Sequence, residues 1–406
     1  MVENPAVTPG LRRRLGLVGL TLYGLGVTIG AGIYVLIGQV AGLAGAAAPF
    51  AFLLAAAVAG LTAMSFAELS VRLPHSAGEA VYVRQGLGSP ALSLATGLGV
   101  ALTGTVAASA VLIGASGYIA TLLPVAPWMI ATVLVVLLCA LALWGIAESV
   151  AAIGIVTLIE IGGLIVILAV ATPATLGGDP WPVAGSVPLA ATGFIGAVVV
   201  AFFAFIGFED MVNVVEEVRA PQRTMPLAIA LTLVTTTLLY VSLACVAMGV
   251  AGPAELAASS APLALVFERA TGLSAAPFAV VAGFATVNGV LVLMIMASRV
   301  FYGLSRQGSL PAFLGGVWSR TGTPAAATLL VAAIVLACAL TLPLALLAQV
   351  TSMLTLASFT LVNVALIALK RRVTGGSGFR VPAWWPWLAA LASAGVLVAE
   401  VWRLAA

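Results

Sequence analysis

The sequence predicts an all-α polytopic membrane protein whose first and sixth membrane-crossing helices are broken at mid-depth. Three observations carry this. Of 406 residues, 63% are hydrophobic and only 7% charged, a composition foreign to water-soluble globules. The apolar residues fall into eleven runs, each near or above the roughly 20 residues that cross a bilayer. Glycine clusters and carboxylates sit inside the first and sixth runs, where an unbroken apolar helix would exclude them.

The first run, 17–42, contains TLYGLGVTIGAGIYVLIG from Thr21 to Gly38, with Gly24, Gly26, Gly30, Gly32 and Gly38. Each interior glycine costs roughly 1 kcal/mol against alanine in a water-exposed helix, so the cluster marks Gly30-Ala31-Gly32 as the place where the helix opens. Backbone groups freed there cannot face lipid and must look onto protein or a wet cavity. The amides near Ala31 to Ile33 suit a carboxylate, and the carbonyls near Thr28 and Ile29 suit a cation. The alternative is a span whose small residues only admit a neighbouring helix, since Gly38 and Gly42 form a G-x-x-x-G pair. Arg12, Arg13 and Arg14 before this run imitate a signal peptide. The run is too long for one and further spans follow, so it is expected to remain as the first span.

The later runs are 47–70, 90–122, 126–145 and 149–171, then 191–215, 225–251, 274–304, 323–343 and 347–369, and a last one at 384–403. They divide the chain into an N-terminal segment (1–16), a first five-helix repeat (17–171), a linker (172–190), a second five-helix repeat (191–369), a loop (370–383) and an eleventh helix (384–406). Arg72, Arg84, Arg219, Arg223, Arg299, Arg306, Arg320, Lys370, Arg371, Arg372 and Arg380 join the N-terminal arginines at one set of ends; Arg269 and Arg403 alone occupy the other. The positive-inside rule then puts the N-terminus in the cytoplasm and the C-terminus outside. Basic residues spread over short loops form no nucleic-acid groove. Cys139, Cys245 and Cys338 lie singly in apolar runs and suggest neither disulfide nor metal site.

Two connections fall on the outer side. The first, 172–190, carries Asp179, Pro180 and Trp181. The second, 252–273, has helix-like spacing at Leu256, Leu263, Leu265 and Phe267, and reads as a passive surface linker or as a short helix across the outer mouth, with the linker preferred. His75 reads as a solvated loop residue, Glu68 and Arg72 as an i,i+4 pair, Glu79 as a helix cap and Glu148 as the start of the fifth span.

The sixth run continues as FFAFIGFEDMVNVVEEVR from Phe202 to Arg219. Glu216 and Glu217 mark its inner end. Glu209 and Asp210 lie deeper, where an ionisable group faces a cavity or a partner by default, and Gly207 offers the place to unwind. Five spans per unit make the second unit start from the opposite face, so spans one and six correspond in an inverted repeat. Interrupted helices at corresponding positions point to a transporter's substrate site. The plainer alternative is that Gly207 is a packing residue and Glu209 snorkels.

GLGVTIGAGIYVLIG resembles the first-helix signature of the amino acid, polyamine and organocation (APC) transporter superfamily, with small residues in a G-[AST]-G break. FFAFIGFEDMVNVVEEVRAPQRTMPLAI, from Phe202 to Ile229, resembles that superfamily's sixth span and exit, where Arg219, Ala220, Pro221, Gln222 and Pro226 match the cytoplasmic turn. ASRVFYGLSRQGSLP, from Ala297 to Pro311, is similar to its eighth-span exit. The resemblance is greatest to bacterial relatives of the cationic amino acid transporters. It implies a LeuT-like fold of two inverted five-span repeats with substrate between the broken first and sixth helices. By residue, it implies that a substrate carboxylate meets the amides of Gly30, Ala31 and Gly32. An α-ammonium would meet carbonyls near Ile29 and at Phe203, Ala204 and Ile206, with Phe205 as an aromatic gate. Two departures stand out: eleven spans where many members have twelve, and Glu160 where some proton-coupled relatives place a lysine.

Glu160 is the one charge between Ala151 and Thr172. At that depth the ionised form is disfavoured, which makes a proton-exchanging group or a permanently protonated structural one. Thr286 and Asn288 on the eighth span, or Ser352 and Thr355 on the tenth, are the candidate partners. The resulting expectation is a secondary active transporter, symporter or exchanger, that moves amino acids across the cytoplasmic membrane by alternating access with a proton as coupling ion. A polyamine or organic-amine carrier is the alternative, and Glu209 could serve a cationic group in either. One histidine and three scattered cysteines disfavour an intramembrane enzyme, and no filter-like repeat suggests a channel. Neither a cofactor nor a metal is expected, and the partners are a small amino acid, the coupling proton and the lipid bilayer.

Overall fold

A computed structural model describes residues 15–29, 32–74, 78–144, 150–176, 191–372 and 378–405. Gly30, Ala31, His75, Glu148, Asp179, Pro180, Trp181 and the N-terminal arginines lie outside the described residues.

The first crossing is α1 (Leu17–Ile29) followed by α2 (Gly32–Ala44); the second is α3 (Ala48–Arg72). A short helix, α4 (Gly78–Leu87), separates it from α5 (Pro90–Ala120), α6 (Pro127–Trp144) and α7 (Val150–Leu176). The sixth crossing is α8 (Ala191–Phe203), a turn, and a 3-10 helix over Phe208–Glu217. Then come α9 (Pro221–Val250), the short α10 (Gly252–Ala258) and α11 (Pro262–Thr271), α12 (Ala276–Arg306), α13 (Ala325–Thr341), α14 (Leu344–Arg372) and α15 (Trp385–Ala405). Among the described residues nine stretches are long and apolar enough to cross a membrane, and α1 and α13 are shorter apolar helices. Helix starts follow local chemistry. Pro90, Pro221 and Pro262 occupy first-turn positions where a missing N–H costs nothing, and the Ser89 hydroxyl accepts the Leu92 N–H at 3.3 Å as N-cap of α5.

The packing obeys the inverted repeat. Exchanging the first crossing with the sixth, the second with the seventh, and so on, maps helix contacts onto helix contacts. Thus α1 packs on α9 as α8 packs on α3, α1 on α7 as α8 on α14, and α5 on α13 as α12 on α6. The pair at the centre, α5 with α12, maps onto itself and shares the most extensive contact. The last helix, α15, lies outside this scheme against α3, α8 and α14. It is held by polar links within apolar surroundings: Trp385 Nε1–H donates to the Leu61 carbonyl at 2.8 Å, and Ser393 lies 3.2 Å from Thr62, which also receives the Asn363 amide at 2.9 Å. The anticipated Glu68–Arg72 pair forms at 2.6 Å and is part of a larger cluster. Glu68, fully buried, also meets Lys370 at 2.8 Å and accepts the Val381 N–H at 2.8 Å.

Residues 252–273 depart from the preferred sequence reading. They are two helices with Leu256, Leu263 and Val266 completely buried, not a passive surface linker. The physical reason is a glycine seat: a side chain at Gly38 would strike the Leu256 carbonyl, one at Gly117 the Ser260 carbonyl, and one at Gly42 the Ala257 Cβ at 2.9 Å. Without those side chains, α10 and the turn after it sink into the end of the bundle opposite α4.

Candidate functional site

The interruption of the sixth crossing lies against the first crossing. In the sixth crossing α8 ends at Phe203, and the amides of Ala204, Phe205 and Ile206 close tight turns onto the carbonyls of Ala201, Phe202 and Phe203 at 3.0–3.1 Å. Gly207 then takes φ 126°, a conformation open to glycine and closed to most other residues. Among the described residues no backbone amide reaches the carbonyls of Ala204, Phe205 or Ile206. In the first crossing α1 ends at Ile29 and α2 begins at Gly32. A Cβ on Gly32 would lie 2.8 Å from Ala204 Cα, and one on Gly207 would lie 2.6 Å from the Val27 carbonyl oxygen. Main chain therefore touches main chain at the crossing, and glycine on each strand makes that possible.

Of the residues singled out from sequence, Thr28, Ile29, Gly32, Phe203, Ala204, Phe205, Ile206, Gly207 and Glu209 are gathered here; Gly30 and Ala31 lie outside the described residues. Phe205 is fully buried, its ring 5.2 Å from that of Tyr240. The Tyr240 hydroxyl donates to the Thr28 carbonyl at 3.1 Å. Glu209 folds back on its own turn and accepts the Gly207 N–H at 2.8 Å, which satisfies one amide at the start of the 3-10 helix.

Glu160 is fully buried on α7, which packs against α1. Its main-chain carbonyl accepts the Tyr34 hydroxyl at 2.6 Å, and the Tyr34 carbonyl accepts the Tyr118 hydroxyl at 2.7 Å. Thr286 is buried but turns its hydroxyl to its own helix, onto the carbonyls of Ala282 and Gly283 at 2.8 and 3.0 Å. Asn288 is half-buried on the same helix. Sequence reasoning missed Tyr34, Tyr118 and Tyr240. The available signal was that a tyrosine inside an apolar span needs a partner for its hydroxyl.

A cavity of about 50 Å³ lies between the crossing point and the end of the bundle that carries α4. Val27, Ile206, Gly207, Glu209 and Asp210 reach it from the two interrupted helices, Glu79 from α4, Thr103 from α5, and Thr355 and Ser358 from α14. Glu79 is thus more than a helix cap. It is nearly buried, and burial pushes its carboxyl up from 4.5 to about 7.

A bundle of apolar membrane-crossing helices, with the interrupted sixth crossing pressed against the first, has the architecture of a membrane transport protein. The chain belongs to the amino acid permease family, whose model matches residues 15–402. It is 31% identical over 386 residues to the branched-chain amino acid permease BcaP of Bacillus subtilis (strain 168), covering 89% of this chain and 82% of that one. It is 30% identical to the methylthioribose transporter of the same organism, covering 92% and 84%. The vacuolar cationic amino acid transporter 4 of Arabidopsis thaliana is also 30% identical, with 89% of this chain aligned to 64% of that longer protein.

Proposed function

We propose that this chain is a secondary active transporter that carries amino acids across the cytoplasmic membrane by alternating access, linked to protons. The observation that carries the reading is the close approach of the interrupted sixth crossing to the first, Gly32 on Ala204 and Gly207 on Val27. The arrangement leaves carbonyls of the sixth crossing for an α-ammonium and supports an anion-binding role for amides at the start of α2. Thr28, Ile29, Gly30, Ala31, Gly32, Phe203 to Gly207 and Glu209 are the proposed substrate contacts. The N-terminus is assigned to the cytoplasm and the C-terminus to the outside, which puts α4 on the cytoplasmic side.

Glu160 is the proposed proton-coupling group, with Thr286 and Asn288 on the facing α12. Support comes from its complete burial and from the hydrogen bond of its main-chain carbonyl with Tyr34 of the first crossing. The test is uptake of labelled amino acids and polyamines into proteoliposomes, with proton and sodium gradients imposed in turn. Saturable amino acid uptake driven by the proton gradient is expected. Uptake confined to amines without a carboxylate would overturn the amino acid reading. In Glu160→Gln the response to a pH gradient should vanish; an unchanged response would remove Glu160 from coupling.

A further inference from the structure

Where α14 ends and α15 begins, the chain carries positive charge that it does not balance. Between Glu268 and Glu400 the sequence holds eight basic residues and no acidic one. Lys370, near the end of α14, is neutralised by Glu68. The next two residues are not: Arg371 and Arg372 are exposed, and neither pairs with a carboxylate among the described residues. Arg371 is nevertheless held in place. Its guanidinium lies over the Trp387 ring, 5.3 Å from the centroid, and so joins the last turn of α14 to the first turn of α15. Stacking occupies the flat face of a guanidinium and leaves its N–H edge, which matches two oxygens of a phosphate. Trp384 and Trp387 are 58% and 47% exposed, and neither indole N–H has a hydrogen-bond partner among the described residues. Trp385 between them is different, since it donates to the Leu61 carbonyl at 2.8 Å. Leu388 and Leu391, one helical turn on from Trp384 and Trp387, are exposed as well. From the helix end toward its middle the surface therefore runs from two cations, past two indoles, to bare leucines. An anionic phospholipid has its parts in the same order: phosphate, glycerol ester, acyl chains. A soluble anion would satisfy the arginines and leave the indoles and leucines unused. A zwitterionic headgroup would bring a cation of its own toward Arg371 and Arg372, where no carboxylate waits to receive it.

We propose that the junction of α14 and α15 is a binding site for one anionic phospholipid, with its phosphate on Arg371 and Arg372, its ester region beside Trp384 and Trp387, and its acyl chains along Leu388 and Leu391. The inference needs only the membrane setting of the bundle; the leaflet is the cytoplasmic one on the orientation proposed above.

The test is native mass spectrometry of the purified full-length chain in neutral detergent micelles, titrated with dioleoylphosphatidylglycerol. Dioleoylphosphatidylcholine is the zwitterionic control, and glycerol phosphate is the headgroup without chains. Saturable retention of one phosphatidylglycerol is expected, roughly tenfold tighter than that of phosphatidylcholine and not displaced by glycerol phosphate. Arg371→Gln should weaken retention roughly tenfold and Trp387→Leu about threefold. Both positions are exposed, so the variants keep the fold. Arg320→Gln removes the same charge from the loop before α13, a helix that packs on α5, α6 and α12, and should leave retention unchanged. Equal retention of the two lipids, equal loss in Arg320→Gln and Arg371→Gln, or full displacement by glycerol phosphate overturns the site. So does a dimer that retains no lipid and dissociates in Arg371→Gln, which would give the patch to a second copy of the chain. No uptake or gradient enters this assay. Its failure therefore leaves the transport reading standing, whereas lipid retention by a chain that takes up no amino acid refutes transport alone.

Discussion

Replacing Gly207 with alanine tests the crossing point directly. The residue sits at φ 126°, and an added Cβ would lie 2.6 Å from the Val27 oxygen, 2.8 Å from its carbonyl carbon and 3.1 Å from Thr28 Cα. All three are main-chain atoms of α1, which cannot rotate aside as a side chain can. Ordinary contact begins at 3.4 Å, so 3.4 less 2.6 requires α1 to retreat by about 0.8 Å or the turn at 204–207 to rewind. Backbone strain of roughly 1–3 kcal/mol adds to about 1–3 kcal/mol of overpacking, and the sum of about 2–6 kcal/mol falls on the proposed substrate contacts. Gly60 on α3 is the control, because nothing lies within 4 Å of a Cβ there; its alanine variant should be neutral or more stable by up to about 1 kcal/mol. Thermal unfolding of the purified protein and initial uptake rates measure both effects. Gly207→Ala should melt lower and transport at least tenfold more slowly. Wild-type behaviour in both assays would refute the reasoning that close main-chain contact shapes the site.

Glu68→Gln removes the acid shared by Arg72, Lys370 and the Val381 amide, leaving partly buried cations without their counter-charge at a cost of about 3–5 kcal/mol. Lower thermal stability with faster amide exchange over 378–385 is the expected result, and unchanged exchange there would show that the cluster does not hold that segment. Glu79 predicts a pH dependence of stability. Its folded value of about 7 lies above the unfolded 4.5, so between those limits the folded state holds more protons and stability falls as pH rises, by about 3 kcal/mol in total. Melting measured from pH 4.5 to 7 should decline, and Glu79→Gln should flatten the slope; equal slopes would assign the effect elsewhere.

The interruption of the sixth crossing was legible because it is local. Glycines clustered within one apolar run, or a glycine directly before two carboxylates, contradict an unbroken span whatever surrounds them. Span limits were legible for the same reason, since solvent-exposed ends and apolar middles differ in composition. What depends on the partner was not. GEAVYVRQGL, with charges at Glu79 and Arg84, gives no sign that it folds as a separate helix turning Glu79 toward Glu209 and Asp210, residues remote in sequence that meet only when α4 packs on α5 and α14. The polar character of Glu255, Ser259 and Ser260 concealed the burial of Leu256 and Leu263. Gly38 and Gly42 were correctly read as admitting a neighbour, but that neighbour is the short α10 and not a crossing helix.

These contacts also decide which parts are joined. The Leu15 amide donates to the Glu217 carbonyl at 3.0 Å and the Arg219 amide to the Leu15 carbonyl at 2.8 Å, tying the start of the first crossing to the end of the sixth. Gly24 faces Met211, and Gly207 faces Val27. The half-helices on the α4 side are thus fastened to each other at both ends and in the middle, while α2 and α8 on the other side meet at Gly32 and Ala204 beneath α10. Any displacement of α1 must carry the 3-10 helix with it. The cavity wall formed by Val27, Glu209 and Asp210 would then move as one surface against Thr103 and Ser358.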